Sequence, residues 1–389
     1  MARCKSHWLT RNTGRNTMLM AALAAGSLAA GLVTAPAAHG AAYSITGLGF
    51  LPGGNSSEAT GVNDYGQVVG YGTTAVYGPR TTYPTHAFLY SGGTMQDLGT
   101  LSGGAYNSGA AGINNSGQVV GHSQSSSSSG WDHPFLYSGT TMTDLGTLGG
   151  NDNNQFAFGI NNFGQVVGEA TTSSGSEHAF LYSGGAMTDL GTLSGGTYSA
   201  AFGIDNSGQV VGWAQSSGHM HAFLYSGGVM QDLGTLGGNS SEATGVNDSG
   251  RVVGFSDNSS GSTHAFLYSG GVMQDLGTLV GGTYSVAAGI NNSGQVVGYS
   301  DNSSGFANAF LYGGGTMQDL NSLIPAASGW TLGTATAINN LGDIVGEGTD
   351  PQGHVEAFLL TPVPEPASLA LLAIAGAGIL LLRRRHAGA

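Results

Sequence analysis

The sequence predicts an all-β fold assembled from repeated four-stranded units, and three observations predict it. The first is a repeat. A HAFLY-type segment starts at His86, His133, His178, His221, His264, Asn308 and Glu356, at steps of 43 to 48 residues. An M-x-DLGTL-type segment follows the first six. A decad of the GINNSGQVVG type recurs at Gly61, Gly112, Gly159, Gly203, Gly245, Gly289 and Ala337. A fixed period in this range marks one supersecondary unit copied many times. The second observation is composition. Of 389 residues 70 are glycine and only 8% are charged, which suits short strands and tight turns around regularly spaced Val, Leu, Phe and Tyr. The third is phase. Ile45–Leu51 aligns with Met95–Leu101, so the first unit opens on an M-x-DLGTL-type strand, and the last closes on a HAFLY-type strand, Glu356–Leu360. Pairing the two would close a ring and hide both sheet edges. Four strands per unit, seven times, closed in this way, is a seven-bladed β-propeller. An open β-solenoid is the alternative, and it gives no reason for the complementary ends.

Each strand follows from its residues. AFLY and M-x-DL are separated by a Ser-Gly-Gly type turn such as Ser91-Gly92-Gly93-Thr94, where glycine accepts the positive φ of a tight hairpin. The decad holds a second hairpin. In Gly203–Gly212 the Asp205-Asn206-Ser207-Gly208 segment is the turn and Gln209-Val210-Val211 the returning strand. Variable linkers join the hairpins, the longest being 71–85 and 123–132.

Three segments are expected along the chain. Residues 1–40 read as a secretory signal peptide: a basic start, the apolar run Met18–Ala35, then small residues. Residues 43–361 are the repeat domain. Residues 362–389 combine a proline spacer, the 14 apolar residues Leu369–Leu382, and Arg383-Arg384-Arg385. As a helix that run spans roughly 21 Å, short of a ~30 Å hydrocarbon core. It suits transient membrane insertion more than a durable anchor, with the arginines on the cytoplasmic side.

Charge and cysteine exclude several functions. The formal net charge is −13, and 21 of the 22 carboxylates lie in 44–361 against Arg80 and Arg251 alone. So acidic a surface does not suit nucleic acid. The only cysteine is Cys4, in the leader, so disulfides, thiolate metal sites and a cysteine nucleophile are excluded from the repeats.

Two resemblances cover nearly the whole chain. Val363-Pro364-Glu365-Pro366-Ala367-Ser368, the apolar run and the triple arginine resemble the PEP-CTERM sorting signal of Gram-negative bacteria. That resemblance implies recognition of Pro364, Glu365 and Pro366 by an exosortase-type sorting enzyme, then release to the cell surface or an exopolysaccharide matrix. The repeats resemble the HAF family of extracellular repeats, from about Ile45 to Leu360, with departures at Pro134, Asn308 and Glu356. That resemblance implies location and architecture rather than an activity.

Each candidate chemistry in the repeats has a plainer reading. The histidines His86, His133, His178, His221 and His264 would form an arc suited to a transition metal. The plainer reading pairs each with the repeated Asp of the next strand, as His221 with Asp232. The decad could hold calcium, but its acids do not keep one place (Asp64, Asp205, Asp248), so it reads as a turn. Glu58 and Glu242 precede the decad while Glu169 and Glu347 follow it, two different repeat positions, so no catalytic residue is assigned. No metal or cofactor is assigned either. The ligand-binding candidates are non-repeated aromatics: Trp131, Trp213 and Trp330, with the Tyr77–Tyr83 insertion. The expectation is an exported, non-enzymatic surface or matrix protein acting in adhesion, scaffolding or exopolysaccharide association. The alternative is a secreted carbohydrate-active enzyme.

Overall fold

The computed structural model describes residues 42–75, 84–101, 107–124, 131–150 and 155–364. The expected signal peptide, the Tyr77–Tyr83 insertion, Glu365, Pro366, the apolar run and the arginines lie outside these residues. Among the described residues no helix is long and apolar enough to cross a membrane.

Seven four-stranded antiparallel sheets form the blades of a β-propeller. Blade 1 is β2 (Ser57–Val62), β3 (Val68–Thr73), β4 (Thr85–Ser91) and β5 (Thr94–Gly99). Blades 2 to 6 repeat it with β6–β9 (108–144), β10–β13 (156–189), β14–β17 (199–232), β18–β21 (237–275) and β22–β25 (285–319). Blade 7 is β26 (Thr331–Ile338), β27 (Ile344–Thr349), β28 (Val355–Pro362) and, from the other end of the chain, β1 (Tyr43–Gly47). Ile45 pairs with Leu360 and Tyr43 with Pro362, so the ring closes as the repeat phase requires. The closing strand is shorter than Ile45–Leu51: it stops at Gly47, and Leu48 and Leu51 turn inward as core residues.

The decad turns and Gly-Gly hairpins share one face of the ring, the turn face. The interblade linkers and the β3–β4-type loops share the other, the linker face. Between them the repeated HAF phenylalanine of every blade, Phe88 through Phe358, is fully buried. The glycine after each Val-Val is forced by strand spacing. A Cβ on Gly70 would stand 1.9 Å from the Glu58 carbonyl oxygen, and the equivalents in the other blades meet the same obstacle.

Hydrogen bonds join the blades. At five junctions a serine at the start of the inner strand accepts the N–H of the HAF alanine one blade back and donates to a glycine carbonyl. Ser108, for example, accepts from Ala87 at 2.9 Å and donates to Gly99 at 2.6 Å. Ser199, Ser241, Ser285 and Ser57 do likewise. Pro134 replaces that alanine in blade 2 and has no N–H to give. Gln155 replaces the matching serine, and its buried amide has no partner among the described residues.

Candidate functional site

The repeated polar residues are used up by the scaffold. His221 Nδ1 lies 2.8 Å from Asp232 Oδ2, and His86, His133, His178 and His264 pair with Asp97, Asp144, Asp189 and Asp275 at 2.8–2.9 Å. Each aspartate also accepts the N–H of the glycine two residues on, which fixes the strand exit. Asn308 substitutes for histidine and donates to Asp319 at 2.6 Å. In blade 7 the acid crosses to the other strand: Glu356 stands at the histidine position and accepts from Gly49 N–H at 2.7 Å. Gly47, at the aspartate position, leaves room for it, since a Cβ there would meet Glu356 Oε1 at 2.5 Å. Among the described residues no three of His, Cys, Asp and Glu gather as metal ligands.

The decad turns form two concentric rings at the axis on the turn face, around a cavity of about 170 Å³. The first turn residue donates its side-chain amide to the next blade's equivalent carbonyl at 2.9–3.1 Å, in six of seven blades. Asp205 lacks that donor. At the second position every backbone N–H donates to the next blade's side-chain oxygen, seven times round, at 2.9–3.0 Å. Asp64 and Asp248 occupy this same second position, which corrects the expectation that the decad acids all differ in place. Burial works against their ionised forms. The amides of Asn115 and Asn340 on Asp64, and of Asn206 and Asn292 on Asp248, outweigh it and hold both carboxyls below the ordinary value.

The non-repeated residues gather on the linker face. The two glutamate positions that look unrelated in sequence are cross-strand partners. Glu58 pairs with Tyr71, Phe156 with Glu169, Glu242 with Phe255 and Thr334 with Glu347. Trp213 opposes Ala200, His122 opposes Gly109 and Tyr299 opposes Val286. A bulge two residues further along each inner strand hides this register from a count along the sequence. These side chains communicate between blades. Burial, then the charges of Glu177 and Glu242, push the Glu169 carboxyl up to about 7. Burial alone pushes Glu242 up to about 7. Burial and then Glu58 raise Glu347, in the neighbouring blade. Burial, the Tyr71–Glu58 hydrogen bond and the charges of Glu58 and Glu347 raise the Tyr71 phenol. A cleft of about 80 Å³ opens where Glu58, Tyr71 and Glu347 meet at the junction of blade 1 and blade 7. His122 packs edge-on to Phe156 at 5.1 Å, in the space that Gly109 leaves.

The three tryptophans do not converge. Trp213 belongs to the cross-strand set in blade 4. Trp131 is 43% exposed on the linker face before the third strand of blade 2. Trp330 packs edge-on to buried Phe358 at 6.5 Å and fills the space above Gly47. Sequence reasoning set aside Glu58, Glu169, Glu242 and Glu347 and passed over Tyr71 and His122. For Tyr71, His122, Glu169 and Glu347 the signal is one column of the repeat, the residue after Val-Val-Gly or Ile-Val-Gly, which changes from each blade to the next. Glu58 and Glu242 lie in a second column, on the inner strand.

Comparison with known proteins bears on destination. The PEP-CTERM protein-sorting motif matches residues 362–385, which identifies an exported propeller protein carrying a substrate signal for exosortase-type sorting. No curated protein matches the chain. Among solved structures, TolB from Acinetobacter baumannii is 12% identical, covering 76% of this chain and 80% of its own, with a TM-score of 0.43. AofleA from Arthrobotrys oligospora is 10% identical over 70% of this chain and 87% of its own, at 0.40. A gluconolactonase from Xanthomonas campestris is 10% identical over 82% and 89%, at 0.39. Similarities this distant carry no functional argument.

Proposed function

We propose that this exported propeller is a non-enzymatic surface or matrix protein that binds exopolysaccharide at its linker face. The observation that carries the reading is the cross-strand set, where one pair of repeat positions holds a different combination in each blade. Glu58, Glu169 and Glu242 each stand opposite an aromatic ring. Carboxylates accept hydrogens from sugar hydroxyls, and ring faces stack on the apolar faces of sugar rings. The extracellular location implied by the HAF-type repeats, and delivery to a cell surface or matrix by the sorting enzyme, fit this role.

The test is retention of the full chain on immobilised polysaccharides, with assay for released reducing ends. Retention without release is expected, and Trp213→Ala or Glu58→Gln should weaken it about tenfold, the loss of one stacking or charged hydrogen-bond contact. Equal retention of wild type and both variants would sink the assignment of the face. One observation favours a second reading, a secreted carbohydrate-active enzyme: Glu169 and Glu242 are both raised to about 7, and their charges interact. Release of reducing ends that Glu169→Gln abolishes would establish that reading instead.

A further inference from the structure

Both ends of the repeat domain leave from the turn face. β1 starts there at Tyr43, β28 ends there at Pro362, and the Val363 N–H donates to the Ala42 carbonyl at 2.9 Å. The outgoing chain passes beside the last decad turn, because a Cβ on Gly342 would stand 3.2 Å from the Pro362 ring. The next turn residue is unusual. Where blades 2, 4, 5 and 6 carry Ser116, Ser207, Ser249 and Ser293, blades 7, 1 and 3 carry Leu341, Tyr65 and Phe163. These three are 66%, 76% and 76% exposed, with no role in the blade cores. They form an arc on the side where the sorting segment departs.

Only Val363–Ser368 separates Pro362 from the apolar run that starts at Leu369. The seven steps from Pro362 to Leu369 reach at most about 25 Å even fully extended. Insertion of that run therefore holds the exit point on the turn face, Pro362, within about 25 Å of the bilayer.

We propose that the turn face is the membrane-seated face of the protein while its sorting segment is inserted. Leu341, Tyr65 and Phe163 enter the lipid interface, and the linker face with its variable ring points away from the cell. A tyrosine and a phenylalanine on turn tips suit the interface, where an apolar ring can bury and a phenol stay hydrated. Asp64 and Asp248 at the centre of the face disfavour anionic headgroups, so the seat is zwitterionic lipid. The seating rests on the sorting motif and is independent of the polysaccharide assignment.

The experiment uses the full chain in a Cys4→Ser background, with single cysteines carrying an environment-sensitive fluorophore. Labels go on the turn face at Tyr65, Phe163 or Leu341, and on the linker face at Val280 or Phe306, which are equally apolar and exposed at 93% and 73%. Vesicles of phosphatidylcholine alone are the probe. On vesicle-bound protein the turn-face labels should shift to shorter wavelength and become several-fold less accessible to aqueous iodide, while the linker-face labels stay unchanged. Equal protection on both faces, or none on the turn face of protein that floats with vesicles, overturns the proposal. So does protection of the turn-face labels without vesicles, since a second copy or the chain's own tail would then cover the arc. A label at Ser116, the same turn position in blade 2, should be protected in the parent chain, and the variant Tyr65→Ser, Phe163→Ser and Leu341→Ser, which restores the residue the other blades tolerate, should lose that protection. Its retention overturns the role of the three side chains.

Discussion

The turn face and the linker face are built from the same seven copies yet differ in what was allowed to vary. On the turn face the decad repeats almost letter for letter, and its residues bond blade to blade in two rings, the outer closed and the inner broken only at Asp205. A change in one copy there disturbs two junctions. On the linker face the residue after Val-Val-Gly is Tyr, His, Glu, Trp, Phe, Tyr and Glu in turn. No ring of hydrogen bonds runs through these positions, so substitution costs little scaffold. Repetition builds the scaffold, and the variation of the cross-strand column gathers on the opposite face.

The largest effect tests closure, which both faces share. Removing Tyr43–Gly47 leaves β28 with an unpaired edge and strips Tyr43 from the blade 7 core. Five residues of strand pairing and a buried aromatic are worth several kcal/mol, comparable with the whole stability of an ordinary domain. Loss of cooperative thermal unfolding, or aggregation, is the expected result. A shortened chain that melts like the full one would show that the ring does not depend on its seam.

The next effect separates the faces by pH. Glu169 and Glu242 keep their protons up to about 7 in the folded chain against an ordinary 4.5. Between those values the folded state binds more protons than the unfolded one, so the contribution is full below 4.5 and is lost as pH rises through 7. Asp64 and Asp248 act in the opposite sense: their contribution is present above 3.8 and is lost as pH falls through their lowered values. Melting temperature should therefore peak near pH 4–5. Glu169→Gln with Glu242→Gln should raise stability at pH 8 by several kcal/mol and leave it unchanged at pH 4. A double variant with the parent's pH profile would mean that these carboxyls are better solvated than their burial implies.

Much of this was readable in the sequence, for a physical reason. Strand pairing within a blade is local, so hairpin turns and the HAFLY-to-Asp spacing report it directly; the His221–Asp232 pair follows from eleven residues of hairpin. Closure was readable because Ile45–Leu51 and Glu356–Leu360 each lack a partner. The variable ring was not. Glu58 and Tyr71 are thirteen residues apart across a decad with a bulge, and only the register shows that they share a face. Relations between blades were harder still, because no spacing in the sequence encodes the interaction of Glu169 in blade 3 with Glu242 in blade 5. Trp330 looked like a free aromatic because the glycine that admits it, Gly47, lies nearly three hundred residues away.

The smallest effect sharpens the account of the turn face. Asp205 interrupts the inner ring: its two oxygens accept from Ser207 and Gln209, and among the described residues the Asn247 carbonyl, which accepts from Gly250 N–H, has no side-chain amide donor such as Asn161 gives to that of Asp205. In Asp205→Asn, Oδ1 keeps the two backbone N–H groups, as Asn247 Oδ1 does with Ser249 and Arg251. The new amide is placed to donate to Asn247 O and to Gln209, the pattern that Asn161 shows with Asp205 O and Gln165. Ser207 loses its bond to Oδ2, but Ser293 in blade 6 shows the remedy, donating to Oδ1 of Asn291 at 2.8 Å. One buried hydrogen bond completed without a new void should add about 1 kcal/mol, read as a higher denaturant midpoint with unchanged slope. If the variant is no more stable than the parent, the inner ring is a consequence of blade packing and contributes nothing of its own to holding the blades together.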